Sequence, residues 1–119
     1  MKILKTLTRV YTNNLDETLH FYEDLTGSTV AQRLAMPAIG LELAQVQDIL
    51  ILAGTDEALR PFRDTKATFL VDSLADYHRF LKENGATIIR PPQNVPTGMN
   101  MTVSHPDGAI IEYVEHRKP

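Results

Sequence analysis

The sequence predicts an α+β protein built from two tandem βαβββ modules, and three observations support this fold class. First, residues 14–22 (NLDETLHFY) are matched by residues 73–81 (SLADYHRFL), 59 positions later. Second, an apolar run precedes and follows each copy, which predicts a strand on either side of a helix. Third, each copy begins with a capping residue and is followed by a glycine, which are the local signals of helix ends. A supersecondary unit that occurs twice folds as two similar halves.

The first half of the chain carries signals for one helix and four strands. Asn14 is the predicted N-cap because Glu17 follows it three residues later, and Gly27 is expected to end the helix. The predicted strands are residues 2–11, 29–34, 39–43 and 48–53, with turns at 37–38 and 45–47. The apolar stripe of the helix consists of Leu15, Leu19, Tyr22 and Leu25.

The second half repeats this order. Ser73 and Asp76 form its capping pair, and Asn84 with Gly85 is the expected end of the helix. Residues 105–108 (HPDG) have the residue types of a type I turn between the last two strands. The predicted elements are a helix over 73–84 and strands over 66–71, 87–90, 100–104 and 109–114.

Two polar segments connect these elements. Residues 55–65, which contain Pro61, link a first repeat over about residues 1–54 to a second over about residues 66–119 within one domain. Residues 91–98 form a second predicted loop. Both segments are candidate lids over a ligand site, and the alternative is that they are surface connections.

Composition excludes several classes of function. The 119 residues carry a formal net charge of −3 with dispersed Lys and Arg, which argues against nucleic acid as a partner. No run approaches the roughly 20 apolar residues of a membrane span, and no signal segment is predicted at the start. The chain has no cysteine, so it has neither disulfides nor thiolate metal sites, and a cytoplasmic location is expected.

Two runs of residues carry a resemblance to a known family. Residues 21–27 (FYEDLTG) and residues 106–112 (PDGAIIE), together with the βαβββ duplication, resemble the vicinal oxygen chelate superfamily, which includes glyoxalase I, extradiol dioxygenases and bleomycin-resistance proteins. The resemblance implies curved mixed sheets around a cleft, with the helices on the outer faces, and usually a homodimer. It also implies a divalent metal held by His or Glu side chains from facing strands.

The metal-ligand positions that the resemblance implies hold unsuitable side chains. They fall on Leu7, Leu52, Lys66 and Glu112, of which only Glu112 offers an oxygen ligand. A stable catalytic site needs about three protein ligands. No two of the four histidines have metal-ligand spacing on one element. We therefore expect no metal and no cofactor.

The strand faces still offer a set of side chains for an organic ligand. Side chains alternate along a strand, so residues two apart share a face. A mixture of apolar, hydroxyl, amide and charged groups suits a small molecule with a hydrogen-bonding or charged group. The alternative is that Glu112 pairs with Arg9 or Lys66 as a structural ion pair. The predicted ligand-binding residues are Leu7, Arg9, Tyr11, Leu52, Lys66, Thr68, Asn100, Thr102 and Glu112.

Three functions stay open on the sequence alone. The first is a metal-independent protein that binds a small organic molecule, in a cleft between the repeats or between the chains of a homodimer. The second is a lyase, isomerase or dioxygenase, with Glu112 as the candidate catalytic base or with metal ligands at other positions. The third is a structural module whose cleft is closed by its own side chains.

Overall fold

The structure, a computed structural model, describes residues 1–118 and confirms the α+β class and the duplicated βαβββ order. A short helix between the two repeats was not predicted. The N-caps of α1 and α3 follow the sequence signals. The elements are β1 (Ile3–Thr12), α1 (Leu15–Thr26), β2 (Gln32–Met36), β3 (Leu41–Val46), β4 (Ile49–Ala53), α2 (Asp56–Leu59), β5 (Thr65–Val71), α3 (Leu74–Glu83), β6 (Thr87–Val95), β7 (Gly98–Ser104) and β8 (Ile110–His116).

The chain divides into two compact units. The first unit is Thr8–Asp64, and the second unit is Met1–Leu7 together with the chain from Thr65 onward. Two hydrogen bonds attach the N-terminal residues to the rest of the second unit: the Lys2 N–H donates to the Asp72 carboxylate at 2.8 Å, and the Asp72 N–H donates to the Lys2 carbonyl at 3.1 Å. The Lys2 N–H lowers the pKa of Asp72.

The sheet of the first unit has the order β2-β3-β4-β1, with β4 and β1 parallel and the other pairs antiparallel. Helix α1 starts as predicted, because the Asn14 side chain accepts the Glu17 N–H, and it ends at Gly27, whose φ is 70°. The predicted apolar stripe is wrong at Leu25, which is 64% exposed in the last turn. One face of this sheet packs on α1 through Leu15, Leu19, Ala44, Val46, Ile51 and Ala53.

Helix α2 covers the other apolar cluster of the first unit. Thr55 caps it by accepting the Ala58 N–H at 3.1 Å, and Leu59 is completely buried. The segment over residues 55–65, predicted as a polar connection or a lid, therefore also supplies a core side chain, and its role as a lid stays a prediction. The cluster consists of Leu41, Leu52 and Leu59, with Tyr11, Leu43, Leu50, Ala58 and Phe62 packed against it.

The sheet of the second unit has the order β5-β8-β7-β6, with β5 and β8 parallel. Ser73 caps α3 as predicted, by accepting the Asp76 N–H at 3.2 Å. The predicted turn before β8 is confirmed by a 2.8 Å bond from the Gly108 N–H to the His105 carbonyl. The core between α3 and this sheet consists of Val71, Leu74, Tyr77, Leu81, Met101, Val103, Ile111 and Tyr113.

Strand β6 differs from its prediction. It continues through Pro91 and Pro92 to Val95, so the predicted loop over residues 91–98, and with it the second candidate lid, is wrong. The two prolines lie where the pairing with β7 is irregular, between Arg90 and Gln93. Proline is tolerated there because β6 is the last strand of this unit's sheet, where a missing N–H breaks no central ladder. Within residues 1–118 no helix has the length and apolar character needed to cross a membrane.

The core of the second unit predicts a pH dependence of stability. Tyr113 is 3% exposed, its hydroxyl lies 2.7 Å from the His105 ring, and burial, with a smaller contribution from the charge of Tyr77, raises its pKa to about 12. The unfolded chain ionises this tyrosine first, near pH 10, so its stabilising contribution is present below that pH and is lost as the pH rises towards 12. We expect a loss of roughly 2 kcal/mol.

Urea unfolding curves at about pH 9 and about pH 12 measure this loss. In Tyr113→Phe the drop should be smaller but still present, because burial also raises the pKa of Tyr77. An equal drop in wild type and Tyr113→Phe would contradict the assignment to Tyr113.

Candidate functional site

A polar cluster lies on the face of the second unit's sheet that α3 does not cover. Glu112 of β8 is paired in register with Thr68 of β5 and with Thr102 of β7. The Thr68 hydroxyl donates to one Glu112 carboxylate oxygen at 2.8 Å, and the Asn100 amide donates to the other at 2.9 Å. Four of the sequence-predicted site residues are therefore brought together.

A fifth residue extends this cluster. The Gln93 amide donates to the Asn100 side-chain oxygen at 3.1 Å, which directs the Asn100 NH₂ group toward Glu112. Thr68 and Thr102 are buried, whereas Glu112 and Asn100 are half-buried. The carboxylate is thus held by side-chain donors from two neighbouring strands. Sequence reasoning missed Gln93 because it assigned residues 91–98 to a loop.

A β-bulge changes the predicted contribution of β5. Alternation placed Lys66 and Thr68 on one face, but the register shifts between Thr65 and Ala67, so that Thr65 is the partner of Ile110. A bulge inserts one residue and reverses the alternation beyond it. Lys66 is exposed and Thr65 is buried. Simple alternation therefore fails at Lys66, the extra residue of the bulge; its contact with a ligand stays a prediction, and Thr65 was missed.

In the first unit, the structure brings together Arg9, Tyr11 and Leu52. Arg9 Nε donates to the Tyr11 hydroxyl at 2.9 Å, and this hydroxyl donates to the Phe62 carbonyl. The guanidinium carbons of Arg9 and Arg63 lie 5.5 and 5.9 Å from the centroid of the Tyr11 ring, within cation–π range. This arrangement fixes the tyrosine on the chain segment that follows α2, and Arg63 was not predicted.

The two predicted leucines are core residues in their own units. Leu52 is the register partner of Tyr11 and Leu43, and it packs against Leu41 and Leu59 at 4% exposure. Leu7, in the part of β1 that belongs to the second unit, is 3% exposed. Their contact with a ligand stays a prediction.

The side chains present do not fit the divalent metal that the family resemblance implies. In the described part of the chain, no three His, Asp or Glu side chains lie together in a way that could hold a metal ion. The cluster at Glu112 offers hydroxyl and amide donors, and the Asn100 group that faces the carboxylate is an NH₂, which cannot ligate a cation. We derive no metal-dependent step from this site.

Comparisons with known structures place the fold. An uncharacterised hypothetical protein from Methanosarcina mazei is 58% identical, with coverage of 100% of this chain and 97% of that one and a TM-score of 0.95. Methylmalonyl-CoA epimerase from Mycobacterium tuberculosis has a TM-score of 0.77 at 18% identity, covering 98% and 90% of the two chains. A variant of the Streptomyces coelicolor epimerase, in complex with 2-nitronate-propionyl-CoA, has a TM-score of 0.74 at 16% identity, covering 98% and 100%.

The two epimerases show a shared fold at this low identity. No curated protein matches the chain. The family model of the Glyoxalase/Bleomycin resistance protein/Dioxygenase superfamily matches residues 3–113, almost the full length. The chain therefore belongs to the glyoxalase/bleomycin resistance protein/dioxygenase superfamily.

Proposed function

We propose that this protein binds a small organic molecule through the polar cluster around Glu112, without a metal ion. The observation that carries the proposal is the Glu112 carboxylate, which is oriented by the Thr68 hydroxyl and the Asn100 amide while the residue itself is half-buried. An ordered, partly accessible carboxylate is a strong acceptor for a hydrogen-bond donor or a cation.

The surroundings of Glu112 indicate which ligand would suit it. Buried Thr68 and Thr102 are its register partners on the neighbouring strands, and half-buried Ile110, the partner of buried Thr65, is on the same face of β8. Ligand sites commonly combine apolar walls with a few oriented polar groups. We infer that the ligand is a compact organic molecule with an amine, hydroxyl or amide donor directed at the carboxylate.

Independence from metal is the second part of the proposal. Glu112 stands at the position that supplies a metal ligand in the family that the chain resembles, and its neighbours include a hydroxyl and an amide NH₂, neither of which is a usual ligand of zinc or iron. Zinc and iron need several deprotonated or neutral donors in one shell. A carboxylate with hydrogen-bonding neighbours is better suited to an organic partner.

The experiment is ligand mapping with a metal control. An NMR screen of small amines, phenols and amides on the labelled chain should shift the amides of Thr68, Asn100 and Thr102. Glu112→Gln should weaken this binding about tenfold, because a hydrogen bond to a charged group contributes about 1.5 kcal/mol or more. Glu57→Gln, an exposed glutamate in α2, is the matched control and should bind as wild type does.

Two outcomes would contradict the proposal. The first is the absence of any shift in the Glu112 cluster across the screen. The second is stoichiometric binding of Zn²⁺ or Mn²⁺ in isothermal titration that Glu112→Gln abolishes, since this would make Glu112 a metal ligand.

A second candidate function is proton-transfer catalysis by Glu112. It is favoured by the same oriented carboxylate, because a general base must be held at a fixed position. Epimerases with this fold bind coenzyme A esters. Hydrogen–deuterium exchange into methylmalonyl-CoA tests this function directly. Exchange that Glu112→Gln eliminates would favour the enzyme, and its absence with wild type would favour the binding protein.

Assembly and location complete the proposal. We propose a cytoplasmic homodimer, on the basis of the family's usual assembly and the absence of cysteine from the sequence. Sedimentation equilibrium of the purified chain measures the oligomeric state.

A further inference from the structure

A surface cavity of about 520 Å³ lies beside α3 and β6 in the second unit, lined by His78, Lys82, Ala86, Ile88 and Pro91. We propose that this cavity is a second ligand site, which binds an anionic small molecule with an apolar body, such as an aromatic carboxylate. The cavity is open to solvent, so a ligand bound there would keep one side exposed.

One wall of the cavity is apolar. Ala86 and Ile88 are half-buried and pack against the core of the second unit, and Pro91 continues this wall along β6. Side chains that are fixed by a core present an apolar surface that loses little conformational entropy when a ligand covers it. This wall is suited to a flat hydrocarbon or an aromatic ring.

The other wall carries two nitrogen groups. His78 and Lys82 are four residues apart on α3, so they lie on the same side of the helix. Within residues 1–118, neither side chain takes part in a hydrogen bond or an ion pair, whereas Arg79 is paired with Asp76 at 3.2 Å. An ammonium and an imidazole beside an apolar wall are complementary to a carboxylate attached to an apolar body.

At the two positions that match these residues, the first repeat has a structural arrangement instead. The positions in α1 that match His78 and Lys82 are Leu19 and Glu23, each 59 residues earlier. Leu19 is a buried core residue, and the Glu23 carboxylate accepts the Val30 N–H at 2.9 Å, which fastens the helix to the segment after it. Lys82 has no acceptor and cannot make this bond. At these positions the second repeat carries a cation and a half-buried imidazole in place of an internal contact.

This site is independent of the cluster at Glu112. Helix α3 packs on the face of the sheet that includes Ile111 and Tyr113, and Glu112 lies between them on the opposite face. A substitution that abolishes binding at one site is therefore expected to leave the other site intact. A negative result at this cavity would not contradict the proposal for Glu112, and the reverse also holds.

The experiment compares an anion with its neutral analogue. In low-salt buffer, 1-naphthoate should shift the backbone amides of Lys82, Ala86 and Ile88 in an NMR titration of the full chain. The neutral analogue 1-naphthamide should bind more weakly than naphthoate by a factor of at least about three. Lys82→Gln should weaken naphthoate binding about three- to fivefold, the range of one exposed ion pair, and remove the preference for the anion. Lys118→Gln makes the same change of charge in the tail and should leave binding unchanged.

A stronger variant keeps the test decisive. Lys82→Glu introduces the residue of the first repeat and should eliminate naphthoate binding, while thermal unfolding remains near wild type because Lys82 is exposed. Equal affinity for naphthoate and naphthamide, unchanged affinity in Lys82→Gln, or shifts confined to Thr68 and Asn100 would each overturn the proposal. Equal weakening by Lys118→Gln would also overturn it, because that result indicates attraction by net charge alone.

Discussion

Replacement of Gly98 with alanine is expected to lower the free energy of unfolding by about 3 kcal/mol or more. Gly98 begins β7, is buried, and has a φ of 155°. A Cβ atom at this position would lie 2.1 Å from the Glu115 carbonyl oxygen and 2.8 Å from the Arg117 nitrogen. Both are backbone atoms of the paired segment, so no side-chain rotation relieves the overlap. The pairing of β7 with the end of β8 must separate.

Gly27→Ala is the matched control for this prediction. Gly27 has a positive φ of 70°, but a Cβ atom added there would meet no atom within 4 Å beyond the adjacent residues. Alanine there carries only the cost of the left-handed conformation, about 1 kcal/mol. Urea unfolding followed by circular dichroism measures both variants. Similar losses for Gly27→Ala and Gly98→Ala would show that the backbone overlap is relieved at little cost.

Leu59→Ala is expected to destabilise the protein by about 2–4 kcal/mol. Leu59 is completely buried and packs with Leu41 and Leu52, although it belongs to the segment between the repeats. Truncation removes three carbon atoms from this cluster and leaves a cavity. Helix α2 is only one turn long and makes too few contacts to shift inward and fill that cavity. The same variant should shift the NMR signals of Tyr11, which packs against the cluster.

Leu25→Ala is the control for Leu59, because it makes the same substitution at a leucine that is 64% exposed. Its expected effect is within about 0.5 kcal/mol. The two variants are compared by their urea midpoints at constant slope. If Leu59→Ala cost no more than Leu25→Ala, α2 would contribute nothing to the core of the first unit.

Sequence reasoning predicted the order of the elements because the signals for that order are local. Each of these signals depends on residues within a few positions of one another. They are the caps at Asn14 and Ser73, the end of α1 at Gly27 and the turn that ends at Gly108. The internal repeat supported each assignment a second time, because both copies carry the same signals in the same order. These features are specified by short segments and survive in the structure.

The errors concern features that depend on distant segments. The bulge at Lys66 is defined by the pairing of β5 with β8, which is not visible along β5 alone. Strand β6 continues through Pro91 and Pro92 because it pairs on one side only. Helix α2 did have a local signal, since Thr55 precedes two acidic residues and a leucine, but its four residues are too few for a periodic pattern.

The same distinction applies to the candidate site. Alternation alone grouped Thr68, Thr102, Asn100 and Glu112, because the period of two is a property of any strand backbone. The hydrogen bonds that orient the carboxylate depend on register across three strands, which the sequence does not specify. The roles of these residues in binding a ligand stay predictions until the Glu112→Gln experiment is done.

The two prolines in β6 also affect how one molecule can meet another. A terminal strand with free N–H groups invites a strand of a second molecule to join it, which leads to sheet extension and aggregation. Pro91 and Pro92 present no N–H, and the irregular pairing around them interrupts the regular spacing that an incoming strand would need. Regular addition of a second strand along this part of β6 is therefore disfavoured.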